Sequence, residues 1–302
     1  MSEPKLICLE SSPEWHAERS KGIGGSDAPA LLGLSKWGGP ASVAAAKLGY
    51  SASDDAESEL LKWGHYIEAP LIRAFADETG LDASLSGAMF RSGSPATPWM
   101  QATIDGVVKE RSQVGGLQCK LAMFSAREWE EDGVPLQVWA QVQHEMAVMD
   151  WEFCYVLVLL GGYKPRHSRV ERDEAFIRER LIPTEAAFWT ALQAGEPIAP
   201  EGAPDAEYAA LKARFPTPVP GKEIELRGDE WLRAFEMWER CGATAREAEK
   251  AQKEARNRLI AAIGDAEFAV LDGGIRLSLR EQVRREFVSP ESRFRVLRRV
   301  GK

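Results

Sequence analysis

Gln118 and Lys120 in the stretch GGLQCKLA (115–122) alternate with Leu117, Cys119 and Leu121. Side chains at i and i+2 leave the same face of a strand, so the amide and the ammonium point one way and the apolar residues the other. A lysine two residues after an acid, with an Asp at the end of a neighbouring strand and a Glu on a packing helix, is a set that can hydrolyse phosphodiesters with a divalent cation. Hard ions such as Mg²⁺ prefer oxygen ligands in near-octahedral geometry. The reaction also needs an oriented hydroxide and a positive group to stabilise transition-state charge. Three segments offer such groups: WGHYIE (63–68) with Glu68, TIDGVV (103–108) with Asp105, and LQCK (117–120) with Gln118 and Lys120. The residue at 118, where the chemistry calls for an acid, is an amide. Each segment also has a plainer reading. Asp-Gly is commonly a turn, a helical Glu is commonly solvated, and Gln-x-Lys can be the polar face of a half-buried strand.

The elements that must position these groups can be read from periodicity. Residues 14–50 read as helix, glycine turn, helix, loop, helix, with Gly22, Gly24 and Gly25 breaking the chain and Ser26 as an N-cap. Residues 57–80 form an amphipathic pattern with Leu60, Leu61, Ile67, Leu71, Ile72 and Phe75 on one side and Gly80 at its stop; Pro70 inside it is expected to kink or split the helix. Strands are expected around 88–91, 100–108 and 116–122, a helix over 134–149 and a doubly buried strand over 153–160. A further helix is expected over 176–194. This order predicts an α/β domain with a mixed sheet, covering residues 1–197. A Pro-rich linker around a short helix follows (197–220), then a long helix over 229–263, charged all round in its middle, and a hairpin over 268–279 with Asp272-Gly273-Gly274 at its turn. Residues 198–302 are thus expected to form a C-terminal extension.

Composition narrows the classes further. The chain has 302 residues, 44% hydrophobic and 28% charged, enough for a full core. Its longest apolar runs fall far short of the roughly 20 residues that cross a bilayer, and no signal-peptide pattern opens the sequence, so no membrane association is expected. Cys8, Cys119, Cys154 and Cys241 are scattered, which fits free thiols in a reducing cytoplasm rather than a disulfide frame or a zinc site. A net charge of -8 argues against polyanion binding by the whole surface but leaves room for a local basic groove. Residues 280–302 carry seven Arg and one Lys against three Glu, a basic tail on an acidic protein.

From Trp15 to about Asp173 the chain resembles the phage lambda-type alkaline exonucleases, in the YqaJ-like branch of the PD-(D/E)XK nucleases. The resemblance runs through Trp15, Arg19 and Ser26, then WGHYIE (63–68), TIDG (103–106), GLQCK (116–120), AQVQHEM (140–146) and VERDE (170–174). It implies a PD-(D/E)XK core, a mixed central sheet flanked by helices, and a Mg²⁺-dependent exonuclease, with Mn²⁺ as a substitute, that digests one strand of duplex DNA from its 5′ end. It implies metal binding by Asp105, Glu68, the residue at 118 and the Cys119 carbonyl, with Lys120 positioning or deprotonating the attacking water. Arg19 would grip the 5′-phosphate, Ser26 and Thr103 would lie in phosphate-contact positions, and Gln141 would stand close to the active centre. Planar guanidinium forks suit phosphates. The resemblance also implies a homotrimer that threads double-stranded DNA ends, a single-strand annealing protein as partner, and the cytoplasm of a bacterial host carrying a phage or prophage.

Outside the family context Arg19 can be read as a surface ion-pair residue and Ser26 as a plain cap. Trp15 and Trp63 are expected in the core rather than stacked on bases. His65 and His144, with no partner at ligand spacing, are expected to be structural or surface groups. The departure is Gln118, where the family has Glu. It reads as a substitution that disables an otherwise active site while sparing DNA binding, or as a naturally weakened nuclease. A non-catalytic DNA-end-binding scaffold and an endonuclease of the same superfamily are the alternatives.

Overall fold

The computed structural model describes residues 3–10, 12–50, 59–123, 128–129, 133–283, 295 and 297–299. The chain divides into two compact units, Met1–Pro216 and Thr217–Lys302. The first is built on a six-stranded sheet in the simple order β1 to β6: Lys5–Leu9, Asp82–Arg91, Gln101–Glu110, Gln113–Ala122, Phe153–Leu160 and Lys164–Glu171. All neighbours are antiparallel except β4 and β5, which run parallel. A parallel pair needs a crossover, and helix Leu136–Met149 lies in that connection. The sheet is therefore mixed, as expected.

Two layers of helix bury its faces. Numbered along the chain, α1 is Pro13–Arg19, α2 Ala28–Leu31, α3 Pro40–Lys47, α4 Glu59–Thr79 and α5 Leu136–Met149. Leu71, Ile72 and Phe75 of α4 pack with Leu117, Cys119, Phe153 and Leu157 on one face. Val138, Val142 and Met146 of α5 pack with Ala102, Ile104, Val156 and Val158 on the other. Pro70 neither splits nor ends α4, which continues through it. The expected start of that helix at 57 and the side chains of Leu60 and Leu61 lie outside the described residues.

After β6 the chain forms α6 (Glu174–Phe176), a π-helical turn (Ile177–Leu181) and α7 (Ile182–Gln193). His144 of α5 is fully buried between layers, its Nδ1 2.7 Å from Glu185 Oε1 on α7 and its Nε2 2.9 Å from the Gln101 carbonyl on β3. Both ring nitrogens face acceptors, which suits a doubly protonated ring. Burial pushes the ring's pKa down, but Glu185, the Gln101 carbonyl and Glu145 outweigh it and the net shift is upward. A raised folded-state pKa stabilises fully below the unfolded value of roughly 6.5 and loses that contribution as pH climbs through the folded value. The urea midpoint is therefore expected to fall as pH rises from roughly 6. A His144→Gln variant, lacking the ring, should lose that part of the slope.

The expected domain boundary at 197 does not coincide with the division of the chain. Helix α8 (Pro204–Arg214) belongs to the first unit, because Glu207 reaches the start of α3. In the second unit α9 (Asp229–Ile263) is a 35-residue helix with no buried residue, and β7 (Phe268–Val270) and β8 (Arg276–Ser278) form a hairpin with Gly273 and Gly274 at positive φ, as their turn requires. Most of the basic tail, residues 284–294, 296 and 300–302, lies outside the described residues.

Candidate active site

Asp105 sits where β3 stops behaving as a regular strand. Ala102 and Ile104 pack towards α5, whereas Gly106 and Val108 face α4, so the alternation slips at Asp105. The slip lies opposite a register shift in β2 between Leu85 and Ala88. Bulges of this kind re-aim a side chain. Asp105-Gly106 is thus strand and not turn, and its glycine has a packing reason. A Cβ at 106 would fall 2.8 Å from Ile72 Cδ1 and from the Ser84 carbonyl, so α4 could not approach. The described β3–β4 ladder ends at Gly106↔Leu117. Beyond it the Asp105 carboxylate takes over, its Oδ2 accepting from the Cys119 N–H (2.7 Å) and from Gln118 Nε2 (2.6 Å).

The amide of Gln118, buried in β4, has one side on Asp105 and the other on Gln141 of α5, whose Nε2 donates to Gln118 Oε1 at 3.1 Å. The Gln141 Oε1 accepts from Lys120 Nζ at 2.9 Å, and its Nε2 also donates to Glu145 Oε1 at 2.9 Å. Four of the expected residues, Asp105, Gln118, Lys120 and Gln141, are therefore joined in one hydrogen-bonded chain. Glu145, which is not among the expected site residues, completes it.

Glu68 projects from α4 on the same side as His65, whose Nδ1 lies 3.1 Å from Glu68 Oε1. With Glu10, just past β1, they bring ligand atoms within 4.8 Å of one another. His65, expected to lack a partner at ligand spacing, thus has two. Burial, then the charge of Asp105, pushes the Glu68 carboxyl up to about 7, with His65 partly offsetting them. Burial likewise raises Asp105 to about 6, against the pull of Lys120 and the Cys119 N–H. Acids crowded beyond the reach of their own countercharges are what a bound cation would relieve. Carboxylate oxygens from Asp105, Glu68 and Glu10 suit a hard cation, with one imidazole beside them, whereas Gln118 turns its NH₂ to Asp105 and its oxygen to Gln141. The Cys119 thiol is pushed up by burial and by Asp105 and Glu68, so it stays protonated and its carbonyl is the group it can offer.

A second cluster gathers at the N-terminal segment. Arg19, exposed at the end of α1, donates to Ser26 Oγ at 3.4 Å and lies 4.8 Å from the Trp15 ring centroid. The Trp15 indole N–H donates to Thr103 Oγ1 at 3.2 Å, tying the segment to β3 two residues from Asp105. Trp15 is therefore half-buried and engaged with the site rather than a core residue. Lys47 at the end of α3 holds this corner: its Nζ pairs with Asp27 at 2.5 Å and donates to the Arg19 carbonyl at 2.9 Å. Burial pushes Asp27 up, but Lys47, Arg19 and the Gly24 N–H outweigh it and hold the carboxyl low. The cap of α2 is Asp27 and not Ser26, which leaves the serine hydroxyl exposed beside Arg19. Trp63, expected in the core, is 57% exposed and stacks edge-on with Tyr66 on the outer face of α4.

Residues 14–152 match the family model of the YqaJ-like viral recombinase domain. The Bacillus subtilis (strain 168) protein YqaJ is 29% identical over 265 residues, 86% of this chain and 81% of that protein. Among solved structures, an alkaline exonuclease (LHK-Exo) from Laribacter hongkongensis is 21% identical with a TM-score of 0.48, covering 68% of this chain and 100% of that one. A phage-related exonuclease from Haemophilus somnus 129PT is 13% identical with a TM-score of 0.42, covering 60% of this chain and 99% of that one.

Proposed function

We propose that this chain, which carries a YqaJ-like viral recombinase domain over residues 14–152, is a divalent-cation-dependent exonuclease that shortens one strand of duplex DNA from its 5′ end, weakened by Gln118. The observation that carries this reading is the single hydrogen-bonded cluster in which Asp105, Gln118 and the Lys120–Gln141 pair meet where the described β3–β4 ladder ends. A divalent cation, Mg²⁺ or in its place Mn²⁺, would be held by Asp105, Glu68 and the Cys119 carbonyl, and by the oxygen of Gln118 once its amide turns over from its bonds to Asp105 and Gln141; bound there, it supplies Lewis-acid charge and lowers the pKa of water. Lys120 lies beside this place with its ammonium fixed by Gln141, able to orient a water and to meet negative charge developing on a phosphate.

Arg19, with Ser26 and Thr103 close by, offers a fork and hydroxyls for a terminal phosphate. An exposed guanidinium set at such an anchor favours an exonuclease over an endonuclease, since an uncut strand presents no 5′ end. The remaining parts of the reading, a homotrimer around duplex DNA, a single-strand annealing protein as partner and a phage or prophage setting in a bacterial cytoplasm, rest on the family resemblance. Among the described residues no helix is long and apolar enough to cross a membrane. The second reading, a DNA-end-binding scaffold that does not cut, is favoured by Gln118 itself.

Incubation with Mg²⁺ and linear 5′-phosphorylated, linear 5′-hydroxyl or closed circular duplex separates these readings. Digestion of the circle would sink the exonuclease assignment. Arg19→Ala is expected to reduce the preference for 5′-phosphate over 5′-hydroxyl ends by about tenfold, the scale of one charge-assisted hydrogen bond. An unchanged preference would remove Arg19 from the anchor.

A further inference from the structure

Glu145 has no part in the reaction described above, yet it is placed where two halves of the site touch. It lies one turn beyond Gln141 on α5 and is 3% exposed. The hydrogen bonds around it have a fixed direction. Asp105 accepts from the Gln118 amide, which turns Gln118 Oε1 towards Gln141. Gln141 can then donate to Gln118 Oε1 and Glu145 Oε1 while its own oxygen accepts from Lys120. Turned over, the same amide would aim its N–H at the lysine ammonium and its oxygen at Gln118 Oε1, losing both of those bonds and keeping at best one to a protonated Glu145. Burial, then Asp105, pushes the Glu145 carboxyl up to about 8, and Oε1 can accept in the charged and in the neutral form.

The other half of the site meets Glu145 at Gly25. A Cβ at 25 would fall 2.8 Å from Glu145 Oε1 and 3.1 Å from its Cγ. The turn that carries Ser26 to Arg19 thus lies directly on the carboxyl group, and a side chain at 25 would have to push that group aside.

We propose that Glu145 is a positioning residue that locks the Gln141 amide, and through it Lys120, in register with the Gly24–Ser26 turn. What this register serves rests on the nuclease reading, namely the alignment of a strand held at Arg19 with the lysine that acts on it. Whether the register exists can be tested apart from that reading.

The experiment is competitive amine labelling of the metal-free, DNA-free full chain, read residue by residue by mass spectrometry. Lys109, whose side chain is 64% exposed, serves as internal control. Glu145→Leu keeps bulk and removes the acceptor; Lys120 labelling is expected to rise roughly tenfold, the scale of one charge-assisted bond lost. Glu145→Gln, which keeps an oxygen acceptor, should return Lys120 to near its starting rate. Gly25→Ala retains the carboxyl group but displaces it, and should also raise Lys120 labelling; it serves if the leucine variant does not fold. Lys120 rates that match the starting protein in Glu145→Leu, or in Gly25→Ala if the former is unfolded, overturn the proposal. A protein whose lysine answers to Glu145 but whose Gln118→Glu variant cuts no DNA would instead sink the nuclease reading alone.

Discussion

A Gln118→Glu variant is expected to digest linear duplex DNA roughly a hundred- to a thousandfold faster than the present sequence at saturating Mg²⁺. The geometry around residue 118 gives the reason and a second signature. Gln118 Nε2 donates to Asp105 Oδ2 at 2.6 Å, so the amide satisfies the very carboxylate that a cation would otherwise occupy. A glutamate there has no proton to give and faces Asp105 with like charge in a buried strand. Without cation the variant should therefore melt below the starting protein. With Mg²⁺ it should recover and surpass its own cation-free stability by more than the starting protein does, because a ligand stabilises only the state that binds it. Cleavage rates and melting curves, each with and without Mg²⁺, check both halves. If the variant binds DNA ends, shows no Mg²⁺-dependent rise in stability and cuts no faster, Gln118 belongs to a scaffold.

The residues of this cleft were legible to different depths, for physical reasons. Gln118 and Lys120 declare themselves because strand alternation projects i and i+2 together, and the structure keeps that register. Asp105 was legible as a residue of a strand, but its aim depends on a bulge that no periodicity reveals. The α5 face of Val138, Val142 and Met146 follows from helical spacing, and the same spacing places Gln141 and Glu145 one turn apart; a buried acid on such a helix looks like a solvated one until its neighbours are known. Strands β1 and β6 escaped notice because edge strands need no apolar alternation: in KPRHSRVE only Val170 is buried. Glu10 was hidden with β1, and with it the partner of His65 and Glu68.

Removal of one carboxylate in α8 is expected to cost the first unit about 3–5 kcal/mol. Glu207 is 3% exposed, and its two oxygens accept from four backbone N–H groups: Gly39 at 3.0 Å and Ser42 at 2.7 Å on one, Ala41 at 2.9 Å and Glu201 at 3.1 Å on the other. Three of these donors open α3, where a helix leaves N–H groups unsatisfied and its dipole favours negative charge. The Ser42 hydroxyl oxygen shares the Gly39 N–H but cannot reach the others. Glu207→Ala would leave the remaining donors buried without partners, and urea unfolding of the variant should show the loss directly. Glu207→Gln, which keeps one oxygen but turns an NH₂ group against donors, should fall between. A loss under about 1 kcal/mol for the alanine variant would mean that solvent or a local rearrangement takes over the cap. The same bonds tie the segment after residue 197, where Pro-rich sequence begins, to the first unit. A chain ending at 197 lacks Glu201 and Glu207 and should be less stable than one ending at 216 by at least the alanine penalty. Because Lys47 at the far end of α3 holds Asp27 and the Arg19 carbonyl, the shorter chain should also lose its preference for 5′-phosphorylated ends.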